Sequence, residues 1–298
     1  MLSSSRSSGA ALCIAAVAML SGVDALAKSL GAALSSFQVV FLRYTVAALL
    51  LALFVALFVR QWPKRGQLSA YALRGFLVAA TASAFFYGLS GMPLVMALAL
   101  AMTGPIYMAV LGTLVFGERP GRHLVFAIAL AVAGSGLIVF TRGTGLAGPP
   151  VALPAILAGL LAPVIYALAA VAMKQNATSE HPAVLSLMQA VFAALFSLPM
   201  ALVVWQAPPA ALSWQIALIG LCGALGFILL LSGLARVTVS LYAVIDYSAL
   251  VWAGLYGYLF FDEIPTVTTL FGAGLIVAAC VLSARPSSGK DKITVQDG

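Results

Sequence analysis

Apolar residues run in blocks of about 20 along most of the chain, separated by short polar interruptions. Each block is the length an α-helix needs to cross the hydrocarbon layer of a bilayer. Reading between the breaks predicts spans near 8–27, 38–58, 71–89, 93–116, 122–141, 151–173, 183–205, 213–235, 239–261 and 266–283. Ten such helices leave only short connections and two tails within 298 residues, so no soluble domain fits. The expected fold is an all-α integral membrane protein of ten transmembrane helices.

Composition narrows the function classes. With 63% hydrophobic and 8% charged residues and a mean hydropathy of +1.12, the chain is not an ordinary soluble enzyme, a disordered protein or a secreted disulfide scaffold. The net charge of +7 sits mostly between the apolar blocks, where basic residues set orientation, so no nucleic-acid partner is expected. Assigning Lys and Arg to alternate sides groups Arg6, Arg60, Lys64, Arg65, Arg74, Arg119, Arg122, Lys174, Arg236, Arg285, Lys290 and Lys292 against Lys28, Arg43 and Arg142. The positive-inside rule then places both termini in the cytoplasm of a bacterial-type inner membrane. A rival reading makes the first block a cleaved signal peptide, because Arg6 precedes it and Ala25-Leu26-Ala27 mimics a cleavage site. Cys13, Cys222 and Cys280 each lie inside an apolar run and read as small hydrophobes.

The chain repeats itself. At one constant offset, Gly88-Leu89 recurs as Gly233-Leu234, Glu118 as Glu263, Pro120 as Pro265, Phe126 as Phe271, Val132-Ala133 as Val277-Ala278 and Leu137 as Leu282; Pro63 and Pro208 obey the same offset. The halves therefore read as two five-helix units, residues 1–142 and 151–284, joined by a loop at 143–150 and followed by a polar tail at 285–298. Five is odd, so the second unit must enter the membrane upside down relative to the first, the inverted-repeat architecture of many secondary carriers.

The residues also carry a family likeness. Asp24 to Lys28 followed by Phe41-Leu42-Arg43-Tyr44, then Phe86-Tyr87-Gly88-Leu89, Gly104-Pro105-Ile106-Tyr107, Phe116-Gly117-Glu118-Arg119-Pro120 and Gly134-Ser135-Gly136-Leu137-Ile138 run through the first half. Tyr247-Ser248-Ala249-Leu250-Val251-Trp252 and Phe261-Asp262-Glu263 answer in the second. In these motifs and their order the chain resembles the drug/metabolite transporter superfamily, as two tandem EamA-type units. The resemblance implies a carrier of small organic molecules, often an exporter of amino acids, with a central cavity formed largely by helices one, three, four, six, eight and nine. Bacterial aromatic amino acid exporters are similar in length and layout, and riboflavin and S-adenosylmethionine carriers resemble it too. Two positions depart from strict repetition: Leu250 stands where the first half has Pro105, and Asp262 where it has Gly117.

Asp246 lies about eight residues inside the ninth span, where a carboxylate costs about 2.5–3.5 kcal/mol on insertion scales, so it should face the bundle interior. Tyr242, Asp246, Ala249 and Ala253 share one helical face, a candidate floor for a polar ligand. Asp246 reads either as a substrate or proton site, which would couple transport to a proton gradient, or as a structural hydrogen-bonding group. The mid-span aromatics Tyr87, Tyr107, Tyr166, Tyr247 and Trp252 are candidates to line a cavity for a ring-bearing substrate, or simply to pack between helices. Asp24 and Lys28 lie one turn apart and Arg43 enters the next helix at similar depth; they can pair as an outer gate or merely tie two helix ends. Glu118 and Glu263, each followed by a proline two residues on, read as helix-joining acids at opposite membrane faces. Gly104 and Pro105 in the fourth span and Pro163 in the sixth are hinge candidates. Gly220, Gly223 and Gly226 in the eighth read as a close-packing stripe.

Gly143-Thr144-Gly145-Leu146-Ala147-Gly148 matches a dinucleotide pattern, but it follows a membrane helix and is read as linker. Asn176-Ala177-Thr178 matches a glycosylation acceptor on the predicted cytoplasmic side and is read as accidental. No Walker A pattern is present, and His123 and His181 lie at helix ends without an acid partner or metal spacing, so no cofactor, metal site or enzymatic activity is expected. The expected partners are a small-molecule substrate and the lipid bilayer, with the chain acting as a monomer; a passive channel is the rival from another class.

Overall fold

A computed structural model describes residues 2–61, 63–104, 106, 107, 110, 111, 114, 122–143, 150–175, 181–234, 236, 245, 246 and 248–283. The expected Pro105, Glu118, Tyr242 and Tyr247 lie outside the described residues, as do Trp62 and the tail beyond 283. Among the described residues the α-helices are α1 (Leu2–Leu30), α2 (Ser36–Phe54), α3 (Leu68–Ser90), α4 (Leu94–Ala101), α5 (Arg122–Gly143), α6 (Leu153–Gln175), α7 (Pro182–Val203), α8 (Ser213–Leu234), α9 (Ser248–Phe261) and α10 (Val267–Ser283). Among the described residues five segments are long and apolar enough to cross a membrane: Ser8–Leu30, Ser36–Val59, Leu68–Ser90, Ala183–Val203 and Ala210–Leu230. Shorter apolar helices cover Ile128–Thr141, Leu153–Ala169, Ser248–Phe261 and Val267–Ala279.

Local chemistry sets the helix ends. Ser35 caps α2 by accepting the Gln38 N–H at 3.2 Å, and His181 caps α7 by accepting the Ala183 N–H through Nδ1 at 3.2 Å. The α2 helix runs on as a π-helical turn, Val55–Val59, and stops where Arg60 turns left-handed (φ 52°). Asp262 (φ 53°) ends α9 in the same way. Asp tolerates this conformation better than most residues, because its short polar side chain can hydrogen-bond to the local backbone.

Side chains sort as a bilayer requires. Leu49, Phe58, Phe140, Leu202, Val203, Phe260 and Phe271 face outward and are largely exposed, while small residues such as Ala16, Ala25, Ala79, Ala97, Ala193 and Ala253 are buried between helices. Lipid is as apolar as leucine, so burying large side chains gains little there, and close backbone approach through small residues provides the packing.

The contacts between the halves are mutually symmetric. α1 packs on α8 as α6 packs on α3, and α2 packs on α7 and α5 on α10. The close approaches repeat in the two halves to within one residue. Gly88 lies against Ala155 and Gly159, and Gly233 against Gly9 and Cys13; Gly75 lies against Phe192, and Gly220 against Val46. A Cβ at Gly75 would stand 2.3 Å from Phe192 Cβ, and one at Gly220 2.4 Å from Val46 Cβ, so only glycine fits at either place. α5 and α10 cross antiparallel: Ile276 approaches Gly134, and Ile138 approaches Gly272. α2 and α7 are antiparallel as well, since Phe41, near the start of α2, meets Trp205, just past the end of α7.

Candidate functional site

At one end of the bundle a clasp joins three segments. Lys28, in the last turn of α1, forms an ion pair with Glu263 in the α9–α10 turn, and its Nζ also donates to the Met92 carbonyl at 2.6 Å. Glu263 Oε2 accepts the Leu94 N–H at 2.8 Å, satisfying a free donor at the start of α4. The left-handed Asp262 reverses the chain so that the Glu263 N–H returns to the Gly257 carbonyl at 3.0 Å, folding the carboxylate back toward α4. The side chains are only 14% and 19% exposed. The Phe261 ring lies 5.3 Å from the Lys28 ammonium.

The clasp divides the expected trio of Asp24, Lys28 and Arg43. Lys28 turns to Glu263, whereas Asp24 stays within electrostatic reach of Arg43. Sequence reasoning read Glu263 as helix-joining but did not pair it with Lys28. The available signal was that the first and ninth connections fall on the same side of the predicted topology. Three further bridges were missed: Gln38 holds Gln206 by two hydrogen bonds, Ser29 donates to Gln215 at 3.2 Å, and Arg74 Nε donates to Gln189 Oε1 at 2.6 Å. The Gln38 and Ser29 bridges lie at the same end as Lys28, and the Arg74 bridge near the opposite one.

Midway along the bundle the hinge candidates meet. The α4 helix stops at Ala101, Met102 and Thr103 form a turn, and the Thr103 hydroxyl donates to the Leu100 carbonyl at 2.6 Å. Gly104 then lies against Tyr166 and Pro163 of α6; a Cβ there would come within 3.2 Å of the Tyr166 ring. A proline inside α6 frees a backbone carbonyl, so both helices are weakened where they touch. Asp246, half-buried just before α9, lies within electrostatic reach of Tyr166, and both keep access to open space. Ser248 Oγ, two residues on, is buried with no hydrogen-bond partner among the described residues. Gly104, Pro163, Tyr166 and Asp246 thus form one cluster drawn from both halves.

The remaining aromatics scatter. Tyr107 lines a cavity of about 530 Å³ with Thr103, Ile106 and Ser135, walled by α5 and by Leu160 of α6. That volume suits a small organic molecule, but its walls are mostly apolar and include α5, which the family likeness did not place at the cavity. Trp252 stacks on Tyr256 at 6.0 Å, and the Tyr256 hydroxyl donates to the Ala18 carbonyl of α1 at 3.2 Å. Tyr87 is 46% exposed near the end of α3. The α8 glycines pack as expected: Gly220 meets α2, Gly226 meets Leu20 of α1, and Gly223 lies beside Arg43.

Known proteins share both sequence and fold. The chain is similar to the pseudopaline exporter of Pseudomonas aeruginosa, 27% identical over 285 residues covering 95% of this chain and 98% of that one. It is similar to the S-adenosylmethionine uptake transporter of Rickettsia prowazekii, 27% identical over 86% of this chain and 85% of the other. A solved crystal structure superposes with a TM-score of 0.64 at 22% identity, covering 93% of this chain and 96% of that one, which establishes the shared fold. The pattern of the EamA-like transporter family matches residues 7–140 and 153–285, the greater part of both halves. A membrane-embedded bundle of two matching units, with charged and polar side chains joining them, is thus a transporter architecture, and the chain belongs to the EamA-like transporter family.

Proposed function

We propose that this transporter is a secondary carrier that alternates access between two inverted five-helix units, residues 1–142 and 151–284. It crosses a bacterial inner membrane ten times with both termini in the cytoplasm and acts as a monomer. The Lys28–Glu263 clasp carries this reading, because it fastens the first unit to the second at one end of the bundle. A carrier needs such inter-unit contacts at each face, made in one state and broken in the other. The antiparallel crossings of α5 with α10 and of α2 with α7 support the inversion: an element packing on its own repeat partner is antiparallel only when the two-fold axis lies across the helices. The weakened contact of Gly104 with Pro163 and Tyr166 supplies a pivot.

The substrates are small metabolites bearing an amino acid group, aromatic or otherwise neutral, moved outward; the half-buried Asp246 beside Tyr166 is the proton-coupling group. The named substrate of the Rickettsia relative favours a second reading, uptake of S-adenosylmethionine. Proteoliposomes holding the purified chain, given labelled phenylalanine, leucine, methionine or S-adenosylmethionine with and without a proton gradient, separate these readings. A carrier shows trans-stimulation by unlabelled substrate, and a passive channel shows none. Asp246→Asn should abolish the pH dependence of transport while leaving insertion intact; unchanged transport removes the proton role. A disulfide between Cys residues placed at 28 and 263 should arrest exchange until reduced, and exchange that continues through the cross-link refutes alternation at this end.

A further inference from the structure

Asp24 and Arg43 are the two opposite charges of the first helix hairpin that the clasp leaves behind. Asp24 lies six residues before the end of α1 and Arg43 seven residues after the start of α2, so both sit about 10 Å below the same end of the bundle. They are half-buried and within electrostatic reach of each other, yet the described residues place no ion-pair contact between them. Lys28, one turn along from Asp24 on the same helix face, is the natural counter-ion, but it is held by Glu263 and the Met92 carbonyl.

The surroundings of Arg43 narrow what it can bind. The Arg43 guanidinium carbon stands over the Tyr44 and Phe86 rings, 5.0 and 5.4 Å from their centroids. Among the described residues none of its five N–H donors has a hydrogen-bond acceptor. Gly223 of α8 lies beside the guanidinium, where a Cβ would stand in ordinary contact, 3.7 Å from Arg43 Nε. A planar rim of donors fits a carboxylate held by two parallel bonds, and a half-buried carboxylate one helix away fits an ammonium. An α-amino acid head group offers both charges one carbon apart.

We propose that Asp24 and Arg43 bind the zwitterionic head group of the substrate, Asp24 taking the ammonium and Arg43 the carboxylate. This deepens the carrier reading above and rests on it. It replaces the gate expected of these two residues with a recognition site, leaving Lys28 to the clasp.

The test uses the full chain in proteoliposomes and whichever amino acid of the panel above wild type moves. Two capped forms compete against it: the primary amide, which lacks the carboxylate charge, and the N-acetyl form, which lacks the ammonium. Wild type should bind each capped form at least tenfold more weakly than the zwitterion. Asp24→Asn should erase the penalty on the N-acetyl form and keep that on the amide; Arg43→Gln should do the reverse. A merely structural pair would not produce this crossed pattern. Should either variant fail to fold, Asp24→Glu and Arg43→Lys replace them: Arg43→Lys should weaken the zwitterion at least fivefold and leave the amide unchanged, and Asp24→Glu should weaken the zwitterion and leave the N-acetyl form unchanged. Folded variants that keep both penalties, or shift zwitterion and capped forms alike, overturn the site while the carrier reading stands. Wild type that moves no amino acid overturns both.

Discussion

The crossing of α5 with α10 gives the sharpest test of how this bundle holds together. In Gly272→Ala the new Cβ would stand 2.5 Å from Ile138 Cγ1 and 2.9 Å from the Gly134 carbonyl oxygen; in Gly134→Ala it would stand 2.7 Å from the Gly272 carbonyl oxygen and 3.0 Å from Ile276 Cγ1. Carbon contacts are optimal near 3.5–4.0 Å, so the helices must separate by up to an ångström, and overpacking of this kind costs about 1–3 kcal/mol. The same helices carry their own controls. A Cβ at Gly136 or Gly274 meets nothing within 4 Å, so alanine there gains up to about 1 kcal/mol of helix propensity and loses no packing. The propensity gain is common to all four positions, so the buried pair should separate from the exposed pair by the packing cost, about 1–3 kcal/mol. Reversible unfolding in mixed micelles of dodecyl maltoside and SDS, followed by circular dichroism, reads this difference. Gly272→Ala and Ile138→Ala should couple in a double-mutant cycle, the double variant losing less than the sum, limited by the backbone oxygen that remains. If Gly272→Ala is as stable as Gly274→Ala, α5 and α10 do not pack as described and the symmetry argument loses its anchor.

Three further outcomes follow from the same contacts. Gly75→Ala and Gly220→Ala should destabilise by similar amounts, about 1–3 kcal/mol each, because they meet equivalent neighbours at nearly equal distance; a loss at only one would break the equivalence of the halves. Lys28→Met and Glu263→Gln should couple by about 0.5–3 kcal/mol in a double-mutant cycle of thermal stability, the double variant losing less than the sum, and additive losses would mean the clasp is not a unit. Gln38→Ala leaves the Gln206 N–H and carbonyl without their side-chain partner and should cost about 1–2 kcal/mol, read as faster proteolysis of the α7–α8 connection; protection equal to wild type would dismiss that bridge.

Much of the site was legible residue by residue, and little of its wiring was. Gly104 and Pro163 announced themselves as helix breakers, yet only the fold brings them together with Tyr166. Lys28 was readable as a charge at a helix end, but its ion-pair partner is 235 residues away, and Asp24, one turn away, was the obvious candidate. The aromatics were the weakest guide: Trp252, Tyr107 and Tyr87 shared one expectation and occupy three environments, because a span that is apolar on every side does not mark which face turns inward.

By itself the sequence determined that the chain lives in lipid and that it consists of two related units, because hydropathy and a repeated motif order are local or additive properties. The tertiary structure alone decided which charges meet. In a bilayer the pairing of helices is set by where small residues let backbones approach, and those contacts, at Gly75, Gly134, Gly220 and Gly272, join residues far apart in the chain. Once they fix the bundle, Lys28 is carried to Glu263, and Asp24 is left within electrostatic reach of Arg43.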